Sequence, residues 1–400
     1  MGYVDYNAFV GVNDGKGFGY SEEEWMLKKN VREFCETEME PRWQEAYNPE
    51  TQNAFYHEMI AKIGEKGWLR VVSPEKIGGF GLSFVSKQII TEELSRVASG
   101  VAIQAGGQMT YANSMAMNVP AAFEIWGQGV LDGTILIAGT SCSPEGQINY
   151  KEQANIGTFD EETNEWVLNG SKAYSSGGPI CDLLRIMGLV DGTIHHWYVE
   201  PAKTPGLTMT INREMGCSPS ASWNMKNVRI PKELGARVPI VVNREIQTSG
   251  PDLMSFGTAV LSIGAMDAAF EKTVEYLKVR THNGRPIASL ASMQYKLAVM
   301  KGKIEAARAF FRQTQIHVLN NSVQAPVISR LVKPYVCDVG REITSECVGM
   351  WGCLGYNEDT GITRHLADCL GHGIGCGTSD EVYMQAAYEM GLPGAEKLMP

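Results

Sequence analysis

Residues 371–385 read Gly371-His372-Gly373-Ile374-Gly375-Cys376-Gly377-Thr378-Ser379-Asp380-Glu381-Val382-Tyr383-Met384-Gln385. Glycine at every second position from 371 to 377 predicts a loop, because each glycine inside a helix costs about 1 kcal/mol relative to alanine. Thr378 or Ser379 then caps a new helix, with Asp380 and Glu381 in its first turn and Val382, Met384 and Ala387 as its apolar residues. The loop carries bare backbone N–H groups to a helix N-terminus, a place suited to a phosphate or a carbonyl oxygen. One reactive side chain, Cys376, sits within it.

Working outward, the helical period marks residues 329–350 and 254–277, and Leu297, Met300, Ile304, Ala307 and Phe311 define one face of a further long helix. With 378–390 these form a four-helix arrangement. Between about 135 and 231 the texture alternates: 196–199, 207–211 and 225–230 read as strands, and Asn169-Gly170 reads as a hairpin turn. Upstream the period is helical again. Ser21 and Glu24 make a capping box, 53–66 is a helix closed by Gly67, 74–81 is a glycine-dense turn, and Gly100 to Met117 is a small-residue helix with room against its backbone.

The 400 residues are 44% hydrophobic with a net charge of −10, which suits a globular chain and excludes nucleic acid as the main partner. No apolar run approaches the roughly 20 residues of a membrane span, and the first residues lack a signal peptide's regions. Nine cysteines without a C-x-x-C pair predict reduced thiols and a cytoplasmic location. His365, Cys369, His372 and Cys376 have the spacing of one helical face. The glycines interrupt that helix, and a single face cannot surround an ion tetrahedrally, so no metal is expected.

Several phrases in this order resemble the acyl-CoA dehydrogenase family across nearly the whole chain. They are Pro74-Glu75 through Gly81, Leu168-Asn169-Gly170-Ser171-Lys172, Met215-Gly216, Val228-Arg229-Ile230-Pro231, Arg280 with Gly284-Arg285-Pro286-Ile287, Ile304-Glu305-Ala306-Ala307-Arg308, and Gly377-Thr378-Ser379. The resemblance implies an α+β chain: an N-terminal helical domain over 1–132, a middle β-barrel or sandwich domain over 133–235, and a C-terminal four-helix bundle over 236–400. It implies FAD held between the β domain and the C-terminal helices, a homotetramer whose neighbouring subunit completes the site, an acyl-CoA substrate, and an electron-transferring flavoprotein as redox partner. In the family a base takes the α proton as hydride leaves Cβ for flavin N5. Ser141, Cys142 and Ser143 match the segment along the flavin, Tyr174 and Ser176 stand where Trp and Thr are usual, and Arg280 and Thr378 match the residues that reach FAD's pyrophosphate and contact the cofactor.

The departures concern the catalyst. Cys376 occupies the position of the usual glutamate, and Met254 occupies the alternative one. Ser255 replaces an arginine that helps hold CoA, Gly349 replaces a glutamine, and His282-Asn283 replace a Thr-Phe pair. Val101 to Gln108, with Gln104 and Gly106 as substrate-binding candidates, is glycine-rich in a way that widens the acyl pocket. A thiol with an ordinary pKa of about 8.5 is a poor resting base and a usable proton donor, which favours reduction of an enoyl thioester. The backbone N–H of Cys376 still polarises the thioester carbonyl. Gln104, Asp252, His372, Asp380 and Glu381 are the candidates to replace the glutamate, while Glu92 and Glu93 read as structural. A flavin-dependent monooxygenase and a non-catalytic flavin- or acyl-CoA-binding member are the alternatives on the same fold.

Overall fold

Ser21 caps the first helix reciprocally: its hydroxyl accepts from Glu24 N, and the Glu24 carboxylate accepts from Ser21 N, opening α1 (Glu22–Phe34). The computed structural model describes residues 20–144, 156–238, 251–320 and 322–394, with 251–255 described by backbone alone. After α1 come α2 (Gln52–Glu65), α3 (Phe84–Ser95) and α4 (Ser99–Asn118), and Gly67 turns the chain after α2 with φ +74°. Eight strands follow: β1 (Ile137–Thr140), β2 (Gly157–Asp160), β3 (Glu165–Ser176), β4 (Leu183–Val190), β5 (Thr193–Val199), β6 (Leu207–Asn212), β7 (Ser220–Pro231) and β8 (Gly235–Arg237). Apart from a short hairpin that pairs Thr281–His282 with Arg285–Pro286, the remainder is helical: α5 (Pro251–Val279), α6 (Ala291–Leu319), α7 (Ala325–Met350), α8 (Ile362–Ile374) and α9 (Ser379–Glu389).

The chain packs as two compact units, one formed by residues to Arg42, Gln88–Ser99 and everything from Pro251, the other by Trp43–Lys87 and Gly100–Gly250. The N-terminal helices are thus shared between them. In the first unit α6 buries Met300, Ile304, Ala307 and Phe311 of the stripe expected from the sequence, while its first member, Leu297, is only partly buried, and Phe311 stacks on Phe256 at 4.4 Å. Charge ties α1 and α3 into this bundle. Glu92 accepts from Lys28 (2.8 Å) and Arg308 (2.7 Å), Glu93 pairs with Lys28 and Arg32, and Arg308 also reaches Asp267. Glu92 and Glu93 are structural, as expected. Burial alone pushes their pKa values up, and the surrounding cations overcome it and hold both carboxyls below the usual range.

In the second unit the strands form two four-stranded sheets, ordered β1-β4-β5-β8 and β2-β3-β7-β6, antiparallel except for the parallel β1–β4 pair. Their inner faces share one core, with Leu168, Trp223, Met225, Val228 and Ile230 from one sheet against Ala138, Leu184, Ile186, Trp197 and Val199 from the other.

Three local expectations fail. Asn169-Gly170 is not a turn. It is a register shift inside the twelve-residue β3, where Asn169 Oδ1 accepts from Asn227 N at 2.8 Å; the hairpin between β2 and β3 turns at 161–164, where Asp160 accepts from Glu162 N and Thr163 N. The room left at Gly100 is filled, since a Cβ there would fall 2.0 Å from the Tyr56 hydroxyl, which bonds Cys217 O. The helix α8 continues through Gly371 and Gly373 to Ile374 and adds a fifth helix to the C-terminal part. Its face of Ile362, His365, Cys369 and His372 is buried, and that packing outweighs two glycine penalties.

Candidate active site

The loop after α8 is shorter than the sequence suggests: Gly375 is extended, Cys376 has φ +57°, Gly377 has φ +93°, and Thr378 caps α9. Thr378 Oγ1 accepts from Glu381 N at 3.3 Å, and the Glu381 carboxylate accepts from Thr378 N at 2.8 Å. Glu381 is therefore committed to the cap. Cys376 is half-buried on a left-handed backbone, a conformation that costs a side-chain-bearing residue about 1–2 kcal/mol.

What holds that backbone is a residue the sequence reading missed. Lys333, fully buried on α7, donates its ammonium to Gly373 O (3.1 Å) and to Gly377 O, on either side of Cys376. Burial pushes its pKa down, while the neighbouring thiol and carboxyl groups push the other way. A cation at a helix C-terminus satisfies carbonyls that the helix leaves bare. The signal was available, because Lys333 falls on the stripe of Ser329, Val332, Val336, Gly340 and Ile343 that α7 buries.

His372 is excluded as the replacement base. It is buried, its Nδ1 lies 3.0 Å from Ser262 Oγ, its Nε2 has no partner among the described residues, and burial, aided by Lys333, lowers its pKa to about 3. His365 and Cys369 share that buried face, so the argument that glycines break the helix does not hold. Cys376 lies beyond the helix end. Among the described residues no group of three or more His, Cys, Asp or Glu is arranged for a metal ion. The side chains of Asp252, Met254 and Ser255 lie outside the described residues, although their backbone begins α5. Arg280 is exposed at the end of α5, where Asn283 (φ +49°) and Gly284 (φ +73°) turn a short hairpin that pairs His282 with Arg285. Gly349 is exposed near the end of α7.

In the sheet unit the structure brings Ser141–Ser143 beside Tyr174–Ser176. Cys142 O accepts from Ala173 N (3.1 Å), and Ser175 Oγ donates to Gly139 O (3.0 Å). A second register shift in β3, between Lys172 and Ser175, puts Tyr174 at φ +52° with its side chain 62% exposed. A bulge re-aims a side chain, and a large aromatic held outward on an unfavourable backbone has the form of a platform for a flat ligand. The exposed hydroxyl of Ser176 ends the same strand. These features fit the flavin that the resemblance implies.

Along α4, Gln104 is buried and its amide is engaged, with Nε2 donating to Gln108 Oε1 (3.1 Å) and Ile137 O (3.0 Å). Gly106 accepts from Thr110 Oγ1 (2.9 Å), which in turn accepts from Lys87 Nζ at 2.6 Å. Burial lowers the Lys87 pKa to about 8. Arg185 on β4, 8% exposed, lies over the Tyr111 ring at 4.4 Å and donates to Ser141 Oγ at 3.1 Å. Neither cation was singled out from the sequence.

Comparison with known proteins gives the same assignment. The models of the acyl-CoA dehydrogenase N-terminal and C-terminal domains match residues 21–120 and 252–390. The chain is 24% identical over 89% of its length to the short-chain specific acyl-CoA dehydrogenase, mitochondrial, of Bos taurus, covering 87% of it. It is 25% identical over 90% of its length to the caffeyl-CoA reductase-Etf complex subunit CarC of Acetobacterium woodii, covering 96% of it. The butyryl-CoA dehydrogenase structure from Megasphaera elsdenii superposes with a TM-score of 0.81 at 24% identity, over 94% of this chain and 99% of that one. No helix among the described residues is long and apolar enough to cross a membrane. With both halves of its helical architecture matched, the chain belongs to the acyl-CoA dehydrogenase family of FAD-dependent oxidoreductases that act on the CH–CH group of CoA thioesters.

Proposed function

We propose that this flavoenzyme works toward reduction of an α,β-unsaturated acyl-CoA, with Cys376 as the acid at Cα. The observation that carries this reading is the thiol itself, half-buried and held on a left-handed backbone by Lys333 at the position immediately before Gly377-Thr378-Ser379. The thiol Sγ–H gives its proton to Cα, the thiolate recovers one from solvent, and the Cys376 N–H steadies the charge that develops on the thioester oxygen. FAD, when bound, supplies the two-electron chemistry. We assign Ser141, Cys142, Ser143, Tyr174, Ser176, Arg280 and Thr378 to its binding, and Gln104, Gly106, Met254 and Ser255 to the acyl side. Gln104 acts there through the shape of α4, since its amide nitrogen is engaged. We also assign an electron-transferring flavoprotein as redox partner, a homotetrameric assembly and a cytoplasmic location. The relation to a subunit of a reductase-Etf complex supports the first.

The test is the rate at which FAD-loaded, chemically reduced protein is reoxidised anaerobically by 2-enoyl-CoAs. Cys376→Ala should lower that rate about 10²–10⁴-fold, the usual share of a positioned acid, and Cys376→Glu should gain dehydrogenation of simple acyl-CoAs. An unchanged rate in Cys376→Ala would remove the thiol from the chemistry.

A further inference from the structure

We propose that Arg185, held against Tyr111 and Ser141, is a subsite for an oxyanion, and that its occupant is the terminal carboxylate of a short dicarboxylic acyl group. The inference rests on the acyl-CoA reading above. Arg185 projects from β4 between Gly139 of β1 and Tyr198 of β5. It is more than nine-tenths buried, its Nε has no hydrogen-bond partner, and no carboxylate among the described residues pairs with it. A guanidinium withdrawn from water without a counter-charge is costly, and proteins retain such a group where an anion comes to it.

The surroundings are arranged to admit one. Gly139 lets both side chains come close to the β1 backbone: a Cβ there would fall 2.5 Å from Tyr111 Oη and 3.1 Å from an Arg185 terminal nitrogen. Tyr111 and Ser141, the two residues that meet the head of the arginine, are only half-buried. His196 is held neutral by burial and by Arg185 itself, and burial keeps Tyr198 protonated, so the local charge is that of the guanidinium. With its guanidinium over the Tyr111 ring and one nitrogen on Ser141, Arg185 retains donors in the fork geometry that suits a carboxylate.

The placement also suits the acyl group. Gln104 and Tyr111 are seven residues apart and so on one face of α4. From Gly106 to Tyr111 the helix rises about 7 Å, a short chain's length. Lys87 adds a second cation against the same helix through Thr110.

The experiment titrates FAD-loaded protein with succinyl- and glutaryl-CoA against butyryl- and pentanoyl-CoA, following the flavin absorbance. Native protein should bind one of the dicarboxylic thioesters at least about tenfold more tightly than its alkyl counterpart, as a charge-assisted bidentate contact implies. Arg185→Met should bring the ratio toward one, and Arg185→Lys should retain part of it. Absence of the preference in native protein, or its survival in Arg185→Met, overturns the proposal. If no thioester perturbs the flavin, the acyl-CoA reading fails, and the subsite is judged separately by the thermal shift with glutarate and with sulfate. A saturable shift with glutarate that Arg185→Met lacks supports the carboxylate site. A shift with sulfate alone makes the occupant a free inorganic anion, and no shift with either removes the subsite.

Discussion

Arg308 and Arg185 are both almost fully buried, at 5% and 8% exposure, yet they belong to opposite arrangements. Arg308 faces two carboxylates, Glu92 and Asp267, and through Glu92 it is joined to Lys28. Arg185 faces a tyrosine ring and a serine hydroxyl. A buried charge with its counter-charges in place holds elements together, whereas a buried charge without them is a cost that the fold carries for another purpose. The first marks architecture and the second marks a site.

The strongest way to break this comparison is to remove each guanidinium. Arg308→Met leaves Glu92 and Asp267 buried with fewer partners and should cost about 3–5 kcal/mol in urea unfolding. Arg185→Met abandons no carboxylate, so it should leave stability unchanged or raise it by up to about 1 kcal/mol. Equal losses from the two substitutions would make Arg185 another architectural cation.

Acid should separate the two surroundings as well. His196, beside Arg185, has a folded pKa well below 6.5 because of burial and then the guanidinium. The unfolded chain therefore takes up its proton first, and the stability that neutral His196 contributes is complete above about pH 6.5 and lost as pH falls below it, by about 1.4 kcal/mol per unit. Glu92 and Glu93 have depressed folded values, so their contribution is complete above about pH 4.3 and lost only below it. Unfolding free energies at pH 7, 5.5 and 4 should show the histidine loss first, with His365 and His372, whose pKa values burial also lowers, adding to it. Arg185→Met should lessen that first loss, and Glu92→Gln should change only the second. A first loss untouched by Arg185→Met would mean that burial alone governs His196.

The sequence made the scaffold legible where one period dominated, as in the Ser21 cap, the α6 stripe and the phrases around Arg280 and Gly377-Thr378-Ser379. It misled where a local signal met a tertiary one. Asn-Gly turns a hairpin at 283–284 but is absorbed as a bulge at 169–170, because β7 pairs along the whole of β3. Gly371 and Gly373 stay helical because His365, Cys369 and His372 have a buried face to fill. Arg185 was missed for a different reason, and Lys333 was passed over for it although it lies on the buried stripe of α7. In a sequence a charge inside an apolar run reads as an interruption, and only the packing shows whether a counter-charge, a carbonyl or nothing meets it.

Lys333 is the intermediate case, in its surroundings and in the size of the expected effect. Among the described residues its ammonium has no carboxylate as hydrogen-bond acceptor; it donates to the carbonyls of Gly373 and Gly377. Lys333→Met removes the buried charge, which is favourable, and leaves two carbonyls short of a donor, which is not, so the net loss should be only about 1–2 kcal/mol. The larger consequence should be local. With the carbonyls on either side released, nothing fixes Cys376 at φ +57°, and its thiol should react faster with iodoacetamide while the fold persists. Stability loss without faster alkylation would make Lys333 a general support of α7; faster alkylation with little stability loss would make it the residue that positions Cys376.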